Sequence, residues 1–251
     1  MILYEYPCNE RIRTFLRVEA LFDRLDYFAA GIDPFLHQVA VNTLFDLLEM
    51  TERTDLRGMV LQDMERQRTA LAALREHPDV SAEILDSMLA EITKVAAELA
   101  AQNRIAQALR DNEWLGSLRG RLAVPGGSSQ VDMPSFHGWQ HQSVAKRQAD
   151  IQHWSASFMP LAHAIRLVLR ILRGAGDVAQ REAKQGAFQE MLAGQSFQLL
   201  RVWVAAKYEV FPEMSANKYV ILVRFSQLSA EHKPLIVKQD IPFKLARCNI
   251  G

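Results

Sequence analysis

Two stretches decide the fold: Leu199-Leu200-Arg201-Val202-Trp203-Val204-Ala205 and Tyr219-Val220-Ile221-Leu222-Val223-Arg224-Phe225. In the first, Leu199, Arg201, Trp203 and Ala205 alternate with Leu200, Val202 and Val204. In the second, Tyr219, Ile221, Val223 and Phe225 alternate with Val220, Leu222 and Arg224. A period of two, rich in β-branched and aromatic residues, is the pattern of a strand with one buried face. The sequence before them keeps a different period. Ile151, Trp154, Phe158, Leu161, Ile165, Val168, Leu169 and Leu172 recur at helical spacing. Gly174 and Gly176 then end that pattern, and the β-type pattern begins. Further strand-like segments fall at 187–191, 235–237 and 241–246, with Gly194, Pro212, Asn217 and Pro234 as turn residues between them. Strands joined by short turns imply an antiparallel meander rather than a βαβ array.

Upstream the chain reads as helices, after one short strand at Met1–Pro7 that could add to the sheet. Asn9 is suited to cap a helix that runs to about Asp26, with Glu10 in its first turn. Asp33 caps a second helix that begins with Pro34. A third covers roughly Asp55–Glu76, and Ser81 starts a fourth that reaches about Leu109. The fourth carries Leu85, Met88, Ile92, Val95 and Leu99 at alternating steps of three and four, which reads as the seam of an antiparallel helix hairpin. Val124-Pro125-Gly126-Gly127 reads as a strand end and turn, followed by a short strand at Val131 and Met133. Pro160 is expected to start a new helix or kink the long one. The expectation is an α+β protein. A mainly helical domain spans residues 9–175, with a turn and strand insertion at about 119–141. A smaller antiparallel β domain is made of residues 1–8 and 180–251.

Composition narrows the function classes. The 251 residues are 49% hydrophobic and 23% charged, the balance of a globular chain. Lys plus Arg and Asp plus Glu are each 29, and a net charge of zero argues against a DNA-coating protein. The neutrality hides a division, since residues 31–110 hold 13 acidic and 8 basic residues and residues 181–251 hold 6 and 10. Such asymmetry can steer an acidic partner to one side. Cys8 and Cys248 give neither a disulfide framework nor a metal pair, which fits a reduced cytosolic setting. No run of the sequence approaches the roughly 18 apolar residues of a membrane span, and no signal peptide opens the chain.

The candidate binding residues are basic. Arg13, Arg17 and Arg24 fall within about 40° of one another on the first helix, opposite the apolar Phe15, Val18, Phe22 and Leu25. Glu10 lies close enough to neutralise part of that stripe, and charge rows of this kind ordinarily face solvent. Arg119 and Arg121 flank Gly120 just before the Val124–Gly127 turn. Lys218, Arg224, Lys238, Lys244 and Arg247 lie on expected strands, where the solvent side of an antiparallel sheet is their usual place. His137 and His141 have the i, i+4 spacing of zinc ligands, but Gly138 intervenes and no third ligand is marked, so no metal and no cofactor is expected. Catalytic signatures are missing: there is no GxSxG elbow, no GxGxxG and no phosphate-binding lysine loop. The residues alone lead to a non-enzymatic interaction protein with a basic side. A basic-groove nucleic-acid binder, using Trp139 or Tyr219 for stacking, is the alternative.

One resemblance sharpens this. Leu3-Tyr4-Glu5-Tyr6-Pro7-Cys8-Asn9-Glu10-Arg11-Ile12-Arg13-Thr14-Phe15-Leu16-Arg17-Val18-Glu19 closely resembles the opening of the ZapD family. The likeness continues at Arg119–Gly127, Asp132–His141, Asn217–Phe225 and Phe243–Cys248, in the family's order. It implies a helical domain with a curved β domain, assembled as a homodimer in the cytoplasm at the mid-cell division ring. It also implies a partner, the C-terminal tail of the tubulin-like protein FtsZ, whose filaments the dimer cross-links, with no nucleic acid and no membrane insertion. Carried onto this chain, the tail-binding candidates are Arg13, Arg17, Arg24, Arg119, Arg121, His137, His141, Lys218 and Arg224.

Overall fold

The computed structural model describes residues 1–102 and 104–250. The fold is α+β. Its order is β1 (Ile2–Pro7), α1 (Glu10–Ala29), α2 (Pro34–Arg53), α3 (Leu56–Ala72), α4 (Ala82–Ala100), α5 (Gln107–Arg110), α6 (Glu113–Leu122), α7 (Pro134–Gln140), α8 (Val144–Ser155) and α9 (Met159–Gly174). Seven strands follow: β2 (Gly176–Ala183), β3 (Ala187–Met191), β4 (Leu199–Val204), β5 (Phe211–Ala216), β6 (Val220–Leu228), β7 (Pro234–Ile236) and β8 (Ile241–Cys248). The chain divides into two compact units, residues 1–16 with 169–251, and residues 17–168. Both division points lie inside helices, one in α1 and one in α9.

The first unit holds two antiparallel sheets, one ordered β1-β4-β8-β2 and the other β3-β6-β5 with β7 also on β6. The expected meander survives only in β5-β6-β7. β4 pairs instead with β1 and β8, strands far away in sequence. The N-terminal strand joins this sheet in a register that sets Ile2 opposite Val204 and Pro7 opposite Leu199. The buried halves of the alternating strands meet in one cluster: Leu200, Val202 and Val204 of β4, Phe243 and Leu245 of β8, and Ile221, Val223 and Phe225 of β6. Phe243 packs edge-on against Phe225 and Phe188 at 5.2 and 5.3 Å between ring centres. On β1, Glu5 stands opposite Arg201 and accepts from its Nε at 2.9 Å. Glu5 also accepts from Nε and Nη2 of Arg173 at 2.9 and 2.7 Å, so two guanidiniums hold one carboxylate that is only 15% exposed.

The second unit is helical. Its helices start where polar caps dictate: Asp33 accepts from the Phe35 N–H at 2.8 Å, and Asn112 from the Leu115 N–H at 3.0 Å. α3 and α4 form an antiparallel hairpin in which Arg57, at the start of α3, donates to the carbonyls of Leu99 and Ala100 at the end of α4. Leu85, Ile92 and Leu99 line its buried seam, and Met88 and Val95 on the flank are half-buried. α4 ends at Ala100, short of the expected Leu109, and a separate turn, α5, follows.

The expected strands near 124 and 131–133 do not form. Val124 and Val131 are exposed in a run of turns, and α7 starts at Pro134. Phe136 and Trp139 supply its buried side, and Trp114, Trp139 and Trp154 gather with Phe136 into one aromatic cluster. Trp139 donates to Asp150 Oδ2 at 3.1 Å and is 5% exposed, so of the two stacking residues named for the nucleic-acid alternative only Tyr219, 58% exposed, is open to a base. By length and composition the run Val144–Gly174 could cross a membrane, contrary to the sequence expectation. Its apolar residues belong to the protein interior, where Leu161, Ile165, Val168, Leu169 and Leu172 are fully buried, and a tight turn at Ala156–Phe158 interrupts it.

Candidate partner-binding surfaces

In the helical unit, the arginine stripe of α1 is sorted by its neighbours. Val18, Phe22 and Leu25 are buried, and the arginines stand on the other side of the helix. Arg24 donates from Nε to Thr43 Oγ1 at 2.9 Å and ion-pairs with Asp46, both on α2. Arg17 is exposed and makes no hydrogen bond or ion pair with any described residue.

Arg119 and Arg121 occupy the last turn of α6, where the helix dipole favours cations. Arg119 grips Glu52 of α2 with both terminal nitrogens, at 3.2 and 3.0 Å. This hydrogen bonding holds the Glu52 carboxyl below the usual carboxylate range and raises Arg119. Arg121 is exposed, with no such partner among the described residues. Its backbone shapes the following turn. A Cβ on Gly127 would lie 2.3 Å from the Arg121 carbonyl oxygen, and Gly126 has a φ of +75°, so both positions need glycine.

His137 and His141 come together at the end of α7. Their rings are 4.3 Å apart between centres, and His141 Nδ1 is 2.8 Å from the His137 carbonyl. His141 is exposed and His137 half-buried. Among the described residues, no three His, Cys, Asp or Glu side chains are grouped to hold a metal ion.

α7 owes its position to Arg147, which the sequence reading did not single out. Arg147 is 4% exposed and donates to His37 Nδ1 at 2.9 Å, to the Gln140 carbonyl at 3.0 Å and to the Ile32 carbonyl at 2.6 Å, with a further donation to the Gln142 carbonyl.

In the sheet unit, Arg13 is ion-paired to Glu10 at 3.1 Å. Lys218 lies over the Tyr219 ring, 4.9 Å from its centre, with both residues exposed in the turn before β6. Arg224 is exposed on β6 opposite Glu213, and makes no hydrogen bond or ion pair with a described residue.

Of the nine candidates, the structure therefore gives Arg13, Arg24 and Arg119 intramolecular acids and brings His137 to His141. It leaves Arg17, Arg121 and Arg224 with their donors turned to solvent. A Cell division protein family model, ZapD, matches residues 16–224. The chain belongs to the ZapD family. Its relatives agree along their whole lengths. Cell division protein ZapD of Bordetella petrii is 56% identical over 249 residues, covering 99% of this chain and all of that protein. Cell division protein ZapD of Bordetella pertussis is 55% identical over 249 residues, covering 99% of this chain and 98% of that protein. The ZapD match includes α6, α7 and the Arg121–Gly127 turn, so the elements that hold Arg119, Arg121 and the histidine pair lie within the matched residues.

Proposed function

We propose that this chain is a non-enzymatic division factor that binds the C-terminal tail of FtsZ and, as a homodimer, cross-links FtsZ filaments in the cytoplasm at the mid-cell ring. Membership of the ZapD family supports a role in cell division. The observation that carries the contact is that three of the candidate arginines, Arg17 and Arg121 in the helical unit and Arg224 in the sheet unit, are exposed and make no hydrogen bond or ion pair with a described residue. A guanidinium with its fork open can grip a peptide carboxylate bidentately without first breaking an internal ion pair. One weak site per protomer gives two per dimer. A filament displays many tails, so avidity builds bundles from contacts that are weak singly.

The test is co-sedimentation of the whole protein with GTP-assembled FtsZ, beside FtsZ lacking its tail. The expected result is bundling of the intact filaments alone, lost in Arg17→Glu and Arg121→Glu and declining as salt screens the contact. Bundling of both FtsZ forms would move the contact off the tail. Bundling of neither would refute the reading. Circular dichroism of each variant should match the wild type, because neither arginine holds another part of the fold.

A further inference from the structure

Within the helical unit a cleft of about 480 Å³ opens where α2 ends, α3 begins and α5 starts. Thr51, Thr54, Arg57, Arg104 and Arg110 line it, together with the carboxylates of Glu52 and Asp55. Its volume lies in the range of small-molecule sites, about 300–1,000 Å³. The charge in and around it is lopsided. Three lining guanidiniums, Arg57, Arg104 and Arg110, face two lining carboxylates, and Arg119 beside the cleft pairs with one of these, Glu52.

The carboxylates are already occupied. Glu52 is held by Arg119 and lies 3.7 Å from Arg110, and Asp55 Oδ1 accepts from the Gly58 N–H at 2.9 Å. The arginines crowd one another. Burial pulls Arg110 below its ordinary value, and the neighbouring charges of Arg104 and Arg119 add to that pull. Arg110 Nε is buried without a hydrogen-bond acceptor. Arg57 and Arg110 are fixed in place by donations to the α4 carbonyls and to Thr51 Oγ1 at 3.0 Å. Arg104 is exposed at the cleft, and neither it nor the Thr54 hydroxyl makes a hydrogen bond with any described residue.

A cleft with an excess of positive charge, two guanidiniums fixed by hydrogen bonds, and a further guanidinium and a hydroxyl with no such bond to a described residue is complementary to an anion with several oxygen acceptors. Among the described residues no aromatic side chain lines it to stack on a base, so the recognition is of the anion and not of a nucleobase. We propose that this cleft binds the phosphate dianion of a small phosphate-bearing molecule. A phosphate there would relieve the repulsion between Arg104 and Arg110 and tie the α2–α3 junction to α5.

The experiment uses the whole protein, inorganic phosphate and pyrophosphate, in chloride buffer at constant ionic strength. Affinity is read by calorimetry, and by broadening of the phosphorus resonance. The expected result is saturable binding, weakened at least tenfold in Arg104→Ala, with the melting temperature of the unliganded variant unchanged. Arg17→Glu, outside the cleft, should bind phosphate like the wild type. Phosphate effects reproduced by chloride alone, or equal in wild type and Arg104→Ala, would overturn the proposal. So would a glutamate-rich peptide that binds at Arg104 while phosphate fails to displace it, which would assign the cleft to carboxylates. No FtsZ enters this titration, so its failure is separate from a failure of the bundling assay.

Discussion

Arg147→Met should be the most damaging single change in the helical unit that leaves side-chain volume nearly unchanged. The guanidinium is 4% exposed, and its donations end on three backbone carbonyls, Ile32, Gln140 and Gln142, and on His37 Nδ1. His37 is itself fully buried and placed by its Nε2 contact with the Gly31 carbonyl at 2.8 Å. Methionine fills the space of the stem but donates nothing. Each hydrogen bond to a charged group is worth about 1.5–3 kcal/mol net, and an acceptor left buried without a donor costs about 1–3 kcal/mol. The four contacts share one side chain, and partial hydration recovers some of the loss, so their sum overstates the effect. About 3–5 kcal/mol is the expected net cost, in line with breaking a buried charged network. For a chain of this size that lowers Tm by roughly 6–20 °C. Scanning calorimetry or tryptophan fluorescence reads it, the latter because Trp114, Trp139 and Trp154 sit together beside α7. Arg147→Lys should recover part of the loss, since one ammonium cannot serve four acceptors spread across a planar fork. A fall of less than 2 °C in Arg147→Met would refute the reasoning, because it would mean that the carbonyls find water as good as the guanidinium.

Gly127→Ala should destabilise by about 1–3 kcal/mol through the clash with the Arg121 carbonyl, whereas Gly120→Ala, in open space inside α6, should stabilise by up to about 1 kcal/mol in urea melts. Glu52 gives an acid-side signature. Its lowered pKa stabilises the fold above the ordinary carboxylate value of about 4.3, and this is lost as pH falls through the folded value. With the pair about one-third exposed the effect is under about 1 kcal/mol, and Glu52→Gln should flatten that limb of a pH–stability curve. Burial pushes the Cys8 and Cys248 thiols up to about 11. Both should therefore label slowly with a thiol reagent at pH 8 until the chain is denatured. The unfolded thiols ionise first, so stability should decline as pH rises from about 8.5 towards 11.

What the sequence made legible was local. Asn9 accepts from the Ile12 N–H at 2.8 Å, and Asp33 and Ser81 cap α2 and α4, because a polar side chain before an amphipathic run has an orphan N–H within reach. β4 and β6 show their period because one face is buried and the other is not. β2 was illegible: Gly176-Asp177-Val178-Ala179-Gln180-Arg181-Glu182-Ala183 has little strand propensity, and an eight-residue ladder to β8 holds it extended. β5 carries Pro212, which an edge strand tolerates because its outer N–H needs no partner. Val131 misled in the opposite direction, since a β-branched residue that stays 85% exposed and pairs with no described strand forms none itself. Arg147, Arg57 and Arg110 were invisible for another reason. Their acceptors include Ile32, Leu99 and Thr51, each 42 or more residues away, and no local spacing marks such contacts.

The same long-range pairing changes the meaning of the basic residues. By sequence, Arg13, Arg17 and Arg24 are one stripe, and Arg119 and Arg121 one pair. In the fold, α2 carries Asp46, Glu49 and Glu52 along its length, and these acids take Arg24 from α1, Arg53 from α2 itself and Arg119 from α6. An arginine held this way must give up its internal acid before it can grip a partner's carboxylate. At an exposed site that exchange returns little, because one ion pair of about 0–1 kcal/mol replaces another. Arg17 and Arg121 face no such exchange. Two residues that spacing treats as equivalent therefore differ in what they can offer, and the difference comes from acids more than 20 residues away in the chain. An acidic tail gains most from the arginines the fold has left unpaired.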